Sequence, residues 1–190
     1  MIKILAFAGS GRKDSVNKKV VAVAAKGAEE AGAEVTIVHL EDFDMPIFTE
    51  DLEAEHGMPA AAQAFKELLM SHDGFLISSP EYNSSYSPLF KNAIDWASRQ
   101  TGDEKPMAAY RGKMAAIMAA SPGALGGMRV LVTLRMLLEN IGTMVLPTQK
   151  AVGGAFKLFD EKGNINDEKT EKALKNLGKE LVVTLTKLHH

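Results

Sequence analysis

Residues 3–26 read KILAFAGSGRKDSVNKKVVAVAAK. An apolar run of strand length opens the stretch, and a loop of small and hydroxyl residues follows over 9–17. Val16, Val20, Val23, Ala24 and Ala31 then recur at three- and four-residue steps, the spacing of a helix with one buried stripe, and Gly32 stops the pattern as a C-terminal cap would. Strand, loop and helix in this order form the opening half of a parallel βαβ unit.

Outward from this unit the same alternation repeats. Residues 2–8, 34–39, 74–79, 113–119 and 143–146 are short, largely apolar strand candidates, as strands covered on both faces should be. Between them, Ala62, Phe65, Leu68 and Leu69 mark a second helix. Ser87 as N-cap and Pro88 at the first helical position open a third, which turns Leu89, Phe90, Ala93, Ile94 and Ala97 inward and makes Phe90 and Trp96 core residues. Val130, Leu131, Leu134, Leu138 and Ile141 mark a fourth, ended by Gly142. Leu174, Leu177, Leu181, Leu185 and Leu188 mark the last, with Asp167, Glu168 and Glu171 at its positive end. Five strands alternating with five helices predict an α/β fold, a parallel sheet wrapped on both faces, in one domain spanning 1–190.

Composition narrows the partners. A formal net charge of -2 lacks the basic excess of a protein that binds nucleic acid or an anionic membrane. With no cysteine, thiol catalysis, disulfides and thiolate metal sites are excluded, so any redox chemistry must come from a bound cofactor. The start MIKILAFAGS enters a strand without the features of a signal peptide, and no run approaches the length of a membrane span, so a cytoplasmic location is expected. His39, His56 and His72 show no metal-ligand spacing, the acidic residues Asp42, Asp44, Asp51, Glu53 and Glu55 read as a solvated face, and no metal is expected. His189 and His190, of the kind a purification tag leaves behind, are assigned no role.

In a parallel sheet ligands bind beyond the C-terminal strand ends, where strand order reverses, which brings three loops into play. The first, 9–17, fails the dinucleotide pattern because Asp14 stands where the third glycine belongs, and it has no P-loop lysine. It does offer Ser10, Arg12, Ser15 and Asn17 at a helix start, a good seat for a phosphate. On this loop alone, a solvated turn with Ser15 as N-cap is an equal alternative. The second, 80–87, is held between Pro80 and Pro88 and carries Tyr82 and Tyr86, either of which could lie against a planar heterocycle. Taken alone, this segment reads more readily as a surface loop whose aromatics pack on the helix. The third, 120–127, has Ser121, Gly123, Gly126 and Gly127 before a helix N-terminus whose dipole would stabilise negative charge developing on a nearby carbonyl, the alternative being a plain tight turn with a glycine-rich helix start.

GSGRKDSVN, PEYNSSYSPLFKNAIDW and SPGALGGMR together resemble the three signatures of NADPH-dependent FMN reductases, the flavodoxin-like group that includes bacterial quinone, chromate and azo-dye reductases. DFDMPIFTEDLE and FDEKGNINDEKT resemble two further segments of that group, so the likeness runs through the whole chain. It implies a flavodoxin-like three-layer sandwich with a five-stranded sheet of order 2-1-3-4-5. It also implies FMN as cofactor, its phosphate held by Ser10, Arg12, Ser15, Val16 and Asn17. Pro80, Glu81, Tyr82, Asn83 and Ser84 would line the isoalloxazine ring, with Ser121, Pro122 and Gly123 beside the ring or ribityl chain. Position 84 is often glycine or histidine in that family, and Ser84 departs from it.

By the same resemblance NADPH or NADH reduces the flavin, which passes electrons to a small-molecule acceptor: a quinone, an azo compound, chromate or free flavin. Flavin N5 carries the chemistry, so no side chain is expected to be catalytic. Lys13 and Arg111 are the two conceivable contacts for a 2′-phosphate. A homodimer or homotetramer is implied, through the 45–53 loop and the third and fourth helices. The rival reading is a flavodoxin-type electron carrier or a redox-sensing FMN-binding module, which would hold the same cofactor without turnover.

Overall fold

The computed structural model of the chain describes residues 1–160 and 163–188. Part of the segment 159–170 and the terminal histidines therefore lie outside the described residues. In chain order the elements are β1 (Lys3–Ala8), α1 (Val16–Glu30), β2 (Glu34–His39), α2 (Glu50–His56), α3 (Ala60–Ser71) and β3 (Gly74–Ser79). There follow α4 (Pro88–Ser98), β4 (Met114–Ala120), α5 (Met128–Asn140), β5 (Met144–Val145), β6 (Lys150–Val152) and α6 (Glu168–Leu188). The sheet runs β2-β1-β3-β4-β5, with β6 also on β4, and every pairing is parallel.

Alternate residues of the central strands enter two separate cores, because successive side chains of a strand point to opposite faces. Ile4, Ala6, Leu76, Ala116 and Met118 pack under α1 and α6. Leu5, Phe7, Phe75, Ile77 and Ile117 pack under α3, α4 and α5, together with Phe90. Phe90 and Trp96 are fully buried, as their spacing predicts. On the first face the outer helices touch backbone to backbone: a Cβ on Gly27 would overlap the Lys175 carbonyl, and one on Gly178 would overlap the Ala24 carbonyl. Only glycine permits that approach.

The expected helix ends are present in atomic detail. Gly32 sits at φ 90° just past α1, its N–H donating to Glu29 O (2.9 Å) while Ala33 N–H reaches Ala28 O (3.1 Å). That pair of bonds satisfies carbonyls the helix leaves open. Ser87 caps α4 by accepting the Phe90 N–H at 3.1 Å, and its hydroxyl donates to Gly9 O at 2.5 Å, tying α4 to the end of β1.

Two elements differ from the sequence reading. The fifth strand, expected over 143–146, pairs only at Met144–Val145 and then resumes as β6 along the same neighbour. Leu146 N–H still reaches Ala115 O (2.9 Å), but Pro147 has no N–H to give. At the break Arg135 of α5 donates to the carbonyls of Val145 (3.2 Å) and Leu146 (2.7 Å). The second difference is α2, a short helix inside the stretch read as a solvated acidic face. It buries no residue and is capped by Thr49, whose hydroxyl accepts Leu52 N–H at 3.1 Å. Its Glu53 grips Arg99 with both oxygens at 2.8 Å from Nε.

Because all strands run the same way, their C-terminal ends share one rim. From there the chain after β1 crosses to the α1 face and the chain after β3 crosses to the α4 face. The gap between those diverging connections is where a ligand enters such a sheet.

Candidate functional site

A cleft of about 180 Å³, open to solvent, occupies that gap. It is lined by Ser10, Arg12, Ser15, Val16 and Asn17 from the β1–α1 loop and by Pro80, Glu81 and Tyr82 from the β3–α4 loop. Ala120, Ser121 and Pro122 at the end of β4, and Phe156 beyond β6, complete the wall. Of the thirteen residues expected at a site, only Asn83, Ser84 and Gly123 do not line it.

At the β1–α1 end the donors are open. Ser15 occupies the N-cap position of α1 without making a side-chain cap bond, and the N–H groups of Val16, Asn17 and Lys18 meet no protein acceptor among the described residues. The Arg12 guanidinium likewise has no acidic partner among them, and the backbone N–H of Arg12 donates to Ser10 Oγ (3.4 Å). Unpaired N–H groups at the positive end of a helix, beside a permanent cation and two hydroxyls, make a donor set suited to a phosphate dianion.

Asn17 plays a part in this end that its place in the motif does not reveal. Its side chain is buried: Nδ2 donates to Ala120 O (3.0 Å), while Oδ1 accepts Ala120 N–H (2.9 Å) and Ser78 Oγ–H (2.8 Å). Three bonds of its amide pin α1 against the ends of β3 and β4, which leaves Asn17 its backbone N–H and the second Nδ2 hydrogen for a ligand.

The middle of the cleft is shaped by a tight turn. Tyr82 N–H donates to Ser85 O (2.8 Å) and Ser85 N–H returns to Tyr82 O (3.0 Å), with Asn83 at φ 50° and Ser84 at φ 69° between them. Two left-handed central residues define a primed two-residue turn, for which Asn then Gly is the favoured pair. Ser84 adopts the glycine conformation at a cost of about 1 kcal/mol. Asn83 and Ser84 thus aim Tyr82 rather than line the cleft. Tyr82 is 47% exposed, whereas Tyr86 tilts onto Phe90 (centroids 6.0 Å apart) and joins the core. Of the two tyrosines, Tyr82 is the ring available to a ligand.

Glu81 lines the cleft but its carboxylate faces α5. Oε2 accepts the N–H groups of Arg129 (3.1 Å) and Val130 (3.2 Å), and Oε1 lies 3.3 Å from Arg129 Nη1. The expectation that the α5 N-terminus serves a developing negative charge is therefore corrected: its donors are already taken by Glu81. A second correction concerns Arg111, which lies in the turn before β4, at the opposite end of the sheet. There it lines a different surface cleft with Met70, Glu104 and Lys105. Of the two basic residues considered for a 2′-phosphate, only Lys13 stands on the rim.

Gly123 is the hinge point of the third loop. Its carbonyl accepts Gly126 N–H (3.2 Å) and Gly154 N–H (3.3 Å), while Ser121 N–H donates to Val152 O and Ala155 N–H to Ser121 O, both at 3.1 Å. A Cβ on Gly126 would lie 2.6 Å from Gly153 N, so the two loops meet backbone to backbone. The segment after β6 is the part of the site that the sequence reading missed. The pair Gly153–Gly154 immediately past a short apolar run was the available signal.

Over residues 2–157 the sequence matches the profile of NADPH-dependent FMN reductases. The chain belongs to that family. A quinone reductase of Pseudomonas putida is 36% identical over 161 residues, 84% of this chain and 82% of the relative. A quinone reductase of Escherichia coli strain K12 is 34% identical over 171 residues, 89% and 87% of the two chains. Among solved structures, the flavoenzyme FerB, an NAD(P)H:(acceptor) oxidoreductase from Paracoccus denitrificans, superimposes with a TM-score of 0.83 at 31% identity, covering 98% of both chains. A flavodoxin from the domain Archaea shares the fold, with a TM-score of 0.66 at 11% identity.

As a member of the NADPH-dependent FMN reductase family, the protein is an oxidoreductase whose cofactor is FMN and whose electron donor is NAD(P)H. The cleft suits that cofactor: it has a donor-rich end without a committed carboxylate, of the kind a phosphate needs, and backbone edges with exposed rings, of the kind a planar heterocycle needs. Among its lining residues no histidine or free carboxylate stands beside Ser10 or Ser15 to activate a nucleophile. What the chain contributes is holding and orientation. No helix among the described residues is long and apolar enough to cross a membrane.

Proposed function

We propose that the cleft holds FMN with its phosphate on Ser10, Arg12, Ser15 and the N–H groups of Val16 and Asn17. The ring then lies along Pro80, Glu81 and Tyr82, with Ser121 and Pro122 beside it. The observation that carries this reading is the uncapped N-terminus of α1 facing an unpaired Arg12 in one cleft. When bound, FMN supplies a ring that takes a hydride from the nicotinamide and gives electrons onward.

The chain's own part is to fix that ring, to keep its edge hydrogen-bonded to backbone groups of 80–82 and 121–122, and to leave the opposite side open to two planar molecules in turn. Quinones fit such a site, and the quinone reductases among the relatives support them as acceptors. Azo compounds, chromate and free flavin are acceptors of the same open kind. Lys13, exposed on the rim, is the residue placed to favour NADPH over NADH.

The protein acts as a homo-oligomer in this reading. Met128, Val132 and Met136 form an exposed apolar stripe at four-residue steps along α5, and Ile47 is exposed in the 45–53 loop, which supports a second copy as the covering surface. The near-balanced charge favours small-molecule substrates over nucleic acid or an anionic membrane.

Rapid mixing of the FMN-loaded protein with NADPH, and separately with NADH, tests the reading. The flavin absorbance near its visible maximum should bleach within a turnover and return when a quinone is added. A flavin that stays oxidised with both nicotinamides would identify a carrier or sensor and sink the reductase assignment.

A further inference from the structure

Phe156 is the one large apolar side chain of the cleft that belongs to none of the three motif loops, and it is 58% exposed. Exposure of a phenylalanine ring forfeits apolar burial, so a ring held out in this way calls for an explanation. Fraying is not the explanation. The preceding Ala155 is fully buried, its N–H is bonded to Ser121 O, and the segment is closed by Lys157 N–H to Gly154 O at 3.0 Å. The backbone on both sides of Phe156 is thus fixed against the end of β4 by contacts that only glycines at 126 and 153 permit.

Phe156 shares the cleft with Tyr82. The chain beyond β6 packs on the α1–α6 face, where Ala155 joins the core, whereas the β3–α4 loop leads to the α4 face, so segments bound for different faces of the sheet bring the two exposed rings to one cleft. We propose that Phe156 is a flavin-binding residue, an apolar wall that closes the cleft on the α6 side and contacts the non-phosphate part of the cofactor. This rests on the reading that the cleft holds FMN. Arg12 then recognises the phosphate and Phe156 the rest of the molecule, and the two contributions separate experimentally.

The test titrates the purified apoprotein with FMN and with riboflavin, reading flavin fluorescence, and follows urea unfolding of the apoprotein in parallel. Covering about a third of a phenylalanine's area corresponds to about tenfold in affinity. Phe156→Ala should therefore raise the Kd for both flavins by about tenfold, with little shift of the urea midpoint, because more than half of the residue is already in solvent. Phe156→Leu should recover most of that loss. Arg12→Ala should weaken FMN by about tenfold to a hundredfold and leave riboflavin nearly unchanged. Flavin affinity unchanged in Phe156→Ala overturns the inference, whether the variant instead raises the KM for a nicotinamide or loses its oligomeric state. A wild-type protein that binds neither flavin overturns the FMN reading of the cleft as well, so the two failures are distinct.

Discussion

At the rim of the sheet the N-terminus of α5 is filled by Glu81, whose carboxylate takes the N–H groups of Arg129 and Val130. The N-terminus of α1, which lines the cleft as Glu81 does, leaves the N–H groups of Val16, Asn17 and Lys18 open and carries no acidic residue in its first turn. Both helices present the same partial positive charge. The difference is that one end has been satisfied from within the chain and the other awaits an anion from outside. A helix end left open in a partly buried site costs stability in the unliganded protein, which a bound phosphate restores.

Substitutions can break this contrast or sharpen it. The largest effect belongs to Asn17, because its buried amide serves Ala120 and Ser78 together. Asn17→Ala leaves buried backbone and hydroxyl groups unpaired and should lower apoprotein stability by about 3 kcal/mol, read as the shift in urea midpoint. A loss under about 1 kcal/mol would mean that α1 is held at the rim by packing alone.

Ser15→Asp would convert α1 to the α5 pattern by supplying an internal carboxylate. It should weaken FMN binding by more than about a hundredfold while leaving the apoprotein as stable or slightly more so. Unaltered FMN affinity in that variant would show that the phosphate does not sit on this helix end. Glu81→Ala is the reverse conversion, opening α5. It should cost about 1 kcal/mol of folding stability, measured by thermal unfolding of the apoprotein, and an unchanged transition would show that Arg129 and Val130 find other acceptors.

The smallest effect is in acid. Asp167 caps α6 by accepting Thr170 N–H at 2.9 Å, and the Thr170 side chain first, with that N–H second, holds its carboxyl below the ordinary value of 3.8. A depressed carboxyl contributes stability that is complete above its unfolded pKa and is lost as pH falls through the lower folded one. Urea midpoints taken from pH 6 downward should therefore diverge between wild type and Asp167→Asn only below about pH 4, since asparagine caps without titrating. Parallel curves down to pH 2 would assign that helix end no carboxylate cap.

Much of this architecture was legible in the residues. The apolar runs gave β1 through β4 their places, and Ser87, Pro88, Gly32 and Gly142 marked helix ends because capping chemistry is local. The open seat on α1 was legible as a choice between phosphate and solvent, which the loop alone left undecided. What escaped has physical reasons. α2 buries nothing, so it carries no apolar period to read. β6 is only three residues long and follows a proline that interrupts its strand. The destinations of the Asn17 amide and the Glu81 carboxylate depend on partners far along the chain, and Phe156 belongs to a segment that has no motif of its own.

The glycine contact between α1 and α6 joins stretches far apart in the sequence, and the nearby pair Lys175–Glu30 spans 145 residues. Contacts of such sequence separation form slowly, so the helix that carries the open donors gains its brace only when distant parts of the chain have met. Truncation within α6 should therefore be felt at a cleft to which that helix contributes no residue.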